Sequence, residues 1–167
     1  MLNKIRNIRG MKYVFEILIF LLIIFAVKTY LQRNLLDGTP PALAGTFITG
    51  QKLDSQTLQG KPYLLHFWAS WCGVCSLEER SINAISKDYK VVSVAMQSGD
   101  AELVNEHMNE NDLHFPTIVD EDGEIARSYG VFAVPVSYII NSKGEIAFAE
   151  SGYTTEWGLR LRLWLAN

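Results

Sequence analysis

The only two cysteines of this 167-residue chain, Cys72 and Cys75, are separated by two residues and follow Trp71 directly. Such a pair can form a structural disulfide, supply half of a metal site or carry out thiol–disulfide exchange. A disulfide that closes so short a loop restricts the unfolded chain little and stabilises it weakly. A zinc site needs four ligands, and the spacing of His107 and His114 does not match the usual patterns. The pair is therefore predicted to be redox-active.

The elements around the pair are predicted to place Cys72 at the start of a helix. Residues 62–68 and 91–96 are apolar runs typical of buried strands, and the spacing between them predicts a helix over about 73–87. Strand, helix and strand form a βαβ unit with parallel strands. Unpaired N–H groups at a helix start favour a thiolate at Cys72, whereas Cys75 lies one turn further in. This asymmetry predicts that Cys72 attacks a partner disulfide and that Cys75 resolves the mixed disulfide.

The rest of the outer region is predicted to complete an α/β sandwich, with a central mixed sheet and helices on both faces. Asp100 is expected to cap a helix, and residues 136–140 and 145–149 are expected to form a hairpin around 141–144. A C-terminal amphipathic helix is predicted from about Thr155. Its inward-facing side chains are expected to be Trp157, Leu161, Trp164 and Leu165.

The N-terminal region has the pattern of an uncleaved membrane anchor. A basic leader, 1–12, precedes an apolar run, 13–31, that is just long enough to cross a bilayer. A cleaved signal peptide would end in small residues of the A-x-A kind, which 25–30 lack, and a buried core helix would not be apolar on every face. Residues 32–45, with two prolines and two glycines, are predicted to be a linker to a globular domain over 46–167. The charges behind the orientation are Lys4, Arg6, Arg9 and Lys12 before the run and Lys28 and Arg33 after it.

That excess of positive charge before the run places the N-terminus in the cytoplasm and the domain in the periplasm of a bacterial cell, tethered to the inner membrane. Disulfides form and persist in that compartment. The net charge of −3 and the pI near 5.6 give no electrostatic basis for a nucleic-acid partner.

Three stretches resemble the thioredoxin superfamily: "FWASWCGVC", "VFAVPVSYIIN" and "LHFPTIVDEDGEIARSYGVFAVP". The last is similar to the membrane-anchored branch that includes TlpA, ResA and DsbE. Together with "VVSVAMQSGD", it most resembles the ScsD-like group, associated with suppression of copper sensitivity. The resemblance implies a thioredoxin-like three-layer sandwich after the transmembrane helix, with no cofactor besides the redox-active disulfide. It further implies that Pro135 is a cis proline beside the cysteines; alone, Pro135 would read as a trans proline at the start of a strand. The residues expected to contact a substrate are Trp71, Gly73, Val74 and Val134.

The chain departs from the family pattern at His66 and Val74, and at Glu78 it keeps a residue typical of one branch. His66 stands where many thioredoxins have a buried acid, and it is either a packed core residue or a proton relay for Cys75. Glu78 follows Cys75 by three residues, where the ResA branch often has a functional glutamate; the alternative is a solvated helix charge beside Glu79 and Arg80. Val74 replaces the proline that commonly precedes the second cysteine.

The expected function is reduction of disulfides in periplasmic partner proteins, with electrons supplied by a transmembrane donor of the DsbD/ScsB type. Two alternatives remain open at this point. The protein could be a disulfide-forming oxidase, because the redox potential depends on electrostatics that the sequence does not reveal. It could also be a copper-binding module that holds Cu(I) on the same dithiol.

Overall fold

The computed structural model describes residues 2–32 and 35–167, without the side chains of 2–11, 28, 31 and 55. The chain divides into two units, Met1–Arg33 and Asn34–Asn167. The charge asymmetry predicted for the N-terminal region depends mostly on side chains that lie outside the described residues, namely those of Lys4, Arg6, Arg9, Lys28 and Arg33.

The first unit is a single helix, α1 (Leu2–Gln32). Its described apolar side chains are exposed, for example Phe20, Leu22 and Phe25. Within the part of the chain that is described, no helix combines the length and the apolar character needed to cross a membrane. The transmembrane segment predicted over 13–31 is therefore not confirmed.

The second unit is built on a five-stranded mixed sheet. Three strands are parallel, in the order β3 (Thr117–Asp120), β2 (Lys90–Met96) and β1 (Tyr63–Trp68). The sheet continues with β4 (Val136–Ile140), which is antiparallel to β1, and ends with β5 (Ile146–Ser151), which is antiparallel to β4. Crossover connections make the first three strands parallel, and a hairpin joins the last two. The mixed sheet expected from the sequence is confirmed.

Helices cover both faces of this sheet. Successive side chains of β1 point to opposite faces, so they pack into two separate hydrophobic cores. Leu65 and Phe67 pack with α5 (Glu124–Ser128) on one face. Leu64 and Trp68 pack on the other face with α3 (Glu79–Ile85), α4 (Ala101–Glu110) and α6 (Glu156–Leu165). The result is the three-layer sandwich of the thioredoxin-like fold.

The helix predicted over 73–87 is in fact two helices, α2 (Gly73–Ser76) and α3, with a break at Leu77 and Glu78. At the break the backbone tightens: Leu77 N–H donates to Val74 O and Glu78 N–H donates to Cys75 O, both three residues back. Bonds of this spacing belong to a 3₁₀ turn, which narrows the helix and changes the direction of its side chains. The prediction of one continuous helix was wrong at this point.

The predicted linker, 32–45, is also wrong for most of its length, because residues from Leu35 onward pack on the domain. Leu36 N–H donates to the Tyr138 hydroxyl at 3.2 Å, and Pro41 O accepts from the Tyr129 hydroxyl at 2.8 Å. Leu43 is buried in the core. Prolines and glycines here shape a strap that follows the domain surface, so the domain begins about ten residues before 46.

Helix α6 begins as predicted, with the Thr155 side chain capping Gly158 N–H at 3.2 Å, but it faces the opposite way. Leu159 and Leu163 are buried in the core. The four residues expected to face inward are exposed: Trp157, Leu161, Trp164 and Leu165. Both faces of this helix are apolar, so the 3.6-residue period alone could not decide which face packs on the sheet.

This orientation predicts very different costs for two leucines of the same helix. Leu159→Ala removes a fully buried side chain and is expected to lower the free energy of unfolding by about 2–5 kcal/mol. Leu161→Ala, at a position that is 56% exposed, is expected to change it by less than about 0.5 kcal/mol. Urea denaturation of the two oxidised variants measures the difference, and equal losses would mean that the helix is rotated.

Candidate active site

The cysteine pair lies at the carboxyl end of β1, where a short turn leads into α2. Cys72 N–H donates to Ala69 O at 3.1 Å, which closes the turn. Two contacts hold the turn against the loop after β2: Trp71 Nε1–H donates to Gln97 O at 2.9 Å, and Ser70 N–H donates to Ser98 Oγ at 3.0 Å. Trp71 is thus fixed in place while 60% exposed.

Cys72 and Cys75 form a disulfide, with their Cα atoms 5.3 Å apart. Cys72 is the N-cap residue of α2, and its Sγ accepts a hydrogen bond from Cys75 N–H at 3.2 Å. Cys75 is fully buried, whereas Cys72 is half-buried. When the pair is reduced, an N–H group aimed at Sγ favours the thiolate of Cys72, which is also the sulfur that solvent reaches.

The peptide bond between Val134 and Pro135 is cis, as predicted. This turn precedes β4 and brings Val134 O to 3.6 Å from Cys72 Sγ. Val134 is half-buried, and Pro135 is buried. The backbone of Val134 therefore borders the reactive sulfur, where it can meet the extended chain of a partner.

The other residues expected to contact a substrate lie on the surface of the same turn. Val74 is 46% exposed, and Gly73 faces open space, with no atom within 4 Å of the position that a Cβ would take. Leu77, at the break between α2 and α3, is another exposed apolar residue, at 67%. Sequence reasoning did not single out Leu77, because the break between α2 and α3 that exposes it was not predicted.

Glu78 is fully buried, so the alternative of a solvated helix charge is wrong. Its Oε1 accepts a hydrogen bond from Thr154 N–H, and its Oε2 has no hydrogen-bond partner among the described residues. Burial raises the pKa of Glu78 from 4.5 to about 7, and the Thr154 hydrogen bond opposes that rise. This carboxyl group can take up and release a proton near neutral pH. Thr154 was not foreseen, since it acts through its backbone and any residue type but proline provides that donor.

His66 lies in the middle of β1 and is also buried, but its surroundings differ from those of Glu78. Its Nδ1 is 3.0 Å from Ser137 Oγ on the neighbouring strand β4. Burial lowers the pKa of His66 to about 3, so the ring is neutral at physiological pH. These contacts are those of a hydrogen-bonded core residue, and they give no support to a proton relay through His66.

The buried His66 predicts a loss of stability in acid. Its pKa is lower in the folded state than the ordinary 6.5, so the unfolded chain binds a proton between about pH 6.5 and pH 3 that the folded chain does not. Its contribution to the free energy of unfolding should fall by about 2–3 kcal/mol from pH 7 to pH 4.5. His66→Gln should flatten that slope in urea denaturation, whereas Ser137→Ala, which keeps the histidine, should retain it. A slope that His66→Gln leaves unchanged would contradict a neutral buried ring.

The two histidines considered for a zinc site lie elsewhere. His107 Nε2 is 2.9 Å from Glu79 Oε1, and its ring stacks on Trp68 with the ring centroids 5.4 Å apart. His114 is paired with Asp112 at 2.9 Å. Within the described ranges, no group of three or more His, Cys, Asp or Glu side chains is arranged to hold a metal ion.

Comparison with known proteins agrees with this geometry. The family model described as Redoxin matches residues 39–158. A thioredoxin-like protein of Haemophilus influenzae is 39% identical over 126 residues, which cover 75% of this chain and 72% of that protein. The thiol-disulfide oxidoreductase ResA of Bacillus thuringiensis subsp. konkukian is 31% identical over 120 residues, 70% of this chain and 69% of that one. The crystal structure of StoA from Bacillus subtilis superposes with a TM-score of 0.63 at 28% identity, covering 76% of this chain and 98% of that chain.

Proposed function

The chain belongs to the Redoxin family and is a thiol–disulfide oxidoreductase of the ResA type, and we propose that it is a membrane-tethered periplasmic enzyme that reduces disulfides of partner proteins. One observation carries this proposal. A half-buried cysteine that caps a helix and borders a cis proline is followed by a buried cysteine and a buried carboxyl group.

The proposed reaction begins with the reduced pair. The Cys72 thiolate attacks one sulfur of the partner's disulfide, forms a mixed disulfide and releases the partner's second sulfur as a thiolate. Cys75, once deprotonated, attacks Cys72 Sγ, which forms the Cys72–Cys75 disulfide and releases the partner's first sulfur as a thiolate. Two electrons have then moved from the enzyme to the partner, and a transmembrane donor of the DsbD/ScsB type is proposed to restore the dithiol.

Glu78 is the proposed base for the second step. A thiol buried as deeply as Cys75 needs a base to remove its proton, because burial disfavours the charged thiolate. A carboxyl group with a pKa of about 7, one turn after Cys75, can accept that proton near neutral pH. His66 takes no part in this proton transfer, because its ring stays neutral and is hydrogen-bonded to Ser137.

Membrane attachment and location are proposed from the sequence. The apolar segment 13–31, the basic residues before it and the redox chemistry of the cysteines all fit a domain held outside the cytoplasm. The similarity of "VVSVAMQSGD" to the ScsD-like group extends the proposal to partners that are oxidised under copper stress. Protease treatment of spheroplasts tests the topology, since a periplasmic domain is digested without lysis.

A redox titration of the full chain tests the direction of electron flow. We expect an equilibrium potential close to that of thioredoxin, about −270 mV, together with reduction of a protein disulfide such as that of insulin. A potential near about −120 mV, that of a strong oxidant, would contradict the reductase and favour a disulfide-forming enzyme.

A further inference from the structure

The outward face of helix α6 is a large apolar surface with nothing packed on it among the described residues. Trp157, Leu161 and Trp164 recur at spacings of four and three, with Leu165 beside them, so they form one stripe along the helix. Their exposed fractions are 82%, 56%, 66% and 55%. Large exposed apolar patches are uncommon on surfaces that face only water, and they mark sites of interaction. This stripe, which includes two tryptophans, is such a patch.

Positive charge borders this stripe at its C-terminal end. Trp164 shares a cleft of about 330 Å³ with Lys61 and Lys90. The arginines of the helix itself are already engaged: Arg160 is 2.7 Å from Asp88, and Arg162 is 2.7 Å from Glu150. Asp88 also lines this cleft and is paired with Arg160, so Lys61 and Lys90 are the cations that this end of the surface can offer to anions.

The same end of the domain receives the chain from its N-terminal side. Gly38 forms a bridge with Ile146, Ile146 pairs with Ile140, and Ile140 pairs with Tyr63 at the start of β1. Lys61 comes two residues before Tyr63. Cys72 lies beyond the other end of β1, a six-residue strand that spans about 20 Å. The cationic end of the stripe thus lies at the end of the sheet where the chain enters, although on the opposite face, and it is remote from the active site.

We propose that the outward face of α6 binds the surface of an anionic phospholipid bilayer. Tryptophan favours the interface between headgroups and acyl chains, leucines insert among the upper acyl carbons, and lysines at the rim meet anionic headgroups. The inference rests on the proposed membrane attachment.

Tryptophan fluorescence of the full chain tests this surface directly, because all four tryptophans lie in the domain and none in α1. The protein is reconstituted in vesicles of phosphatidylcholine and phosphatidylglycerol that carry brominated acyl chains, which quench nearby indoles. We expect the quenched fraction to fall at least about twofold in the double variant Trp157→Phe/Trp164→Phe, which removes the reporters but keeps the face apolar. The single variant Leu161→Glu, which keeps both reporters, should lower it in the same way. The matched control is Leu103→Glu, at an exposed leucine of α4 that is 54% accessible.

Equal quenching in the wild type and in the double tryptophan variant would overturn the proposal. So would a concentration-dependent dimer in detergent that Leu161→Glu abolishes, because a second copy would then cover the face. Alkaline carbonate extraction tests membrane attachment through 13–31 separately from the contact at α6. Protein that is retained after extraction but unquenched at α6 contradicts only the present inference, whereas protein that is released by carbonate yet quenched contradicts only the attachment through 13–31.

Discussion

Cys75→Ser is expected to leave partner proteins covalently attached to Cys72. The variant keeps the half-buried sulfur that attacks a partner but lacks the buried sulfur that would release it, so the mixed disulfide accumulates. Turnover should fall by about 10³-fold or more, as expected when a nucleophile is removed. Non-reducing electrophoresis of membranes, followed by identification of the adducts, provides the measurement.

Cys72→Ser is the matched control for that experiment. It should lose turnover equally but trap nothing, because Cys75 is fully buried and cannot reach a large partner. Adducts that form on Cys75 in Cys72→Ser, with none on Cys72 in Cys75→Ser, would reverse the assignment of the two roles.

Glu78→Gln is expected to remove an inflection near pH 7 from the rate of the resolving step. The buried carboxyl group has a pKa of about 7, and glutamine keeps its shape but neither takes up nor releases a proton. Above pH 7 the wild type should therefore resolve mixed disulfides faster than the variant, and the two should converge below about pH 6. Stopped-flow release of a mixed-disulfide peptide from Cys72 follows this step between pH 5 and pH 9. A wild-type profile without an inflection near neutrality would exclude Glu78 as the base.

Glu78→Gln should also remove a loss of stability that the wild type shows as the pH rises. The pKa of Glu78 is higher in the folded chain than the ordinary 4.5, so the folded state binds the extra proton between about pH 4.5 and pH 7. The destabilisation from the carboxylate is absent below pH 4.5 and complete above pH 7, where it reaches about 3 kcal/mol. Glu78→Gln should gain stability relative to the wild type over that interval. Denaturation at pH 5 and pH 8 measures the change, and a constant difference would show that the carboxyl group is not desolvated.

The sequence predicted the sheet and the cysteine site well because both depend on local signals. Apolar runs at 62–68 and 91–96 can only be buried strands in a chain of this composition, and the helix start at Cys72 follows directly from the strand before it. The cis bond before Pro135 was expected from family resemblance and is present. These features follow from a few adjacent residues, which a sequence displays directly.

Apart from the local break at Leu77 and Glu78, the features that the sequence did not reveal depend on how distant parts of the chain pack. The sequence left the role of Glu78 open, because the Thr154 N–H that bonds it comes from a loop 76 residues later and no local pattern encodes that pairing. Helix α6 has two apolar faces, so its period could not show that Leu159 packs inward and Trp157 outward. The segment after Leu35 has the composition of a linker, yet its backbone and leucines bind Tyr138 and the core.

That strap also determines what the sheet offers to other chains. Gly38 pairs with β5 and Phe47 pairs with β3, so one continuous stretch of chain closes part of both outer edges of the sheet. Open strand edges invite pairing with neighbouring molecules and lead to aggregation. By covering part of its own edges, the domain limits strand pairing with other chains and leaves the surface around Cys72 as the place where a partner can engage it.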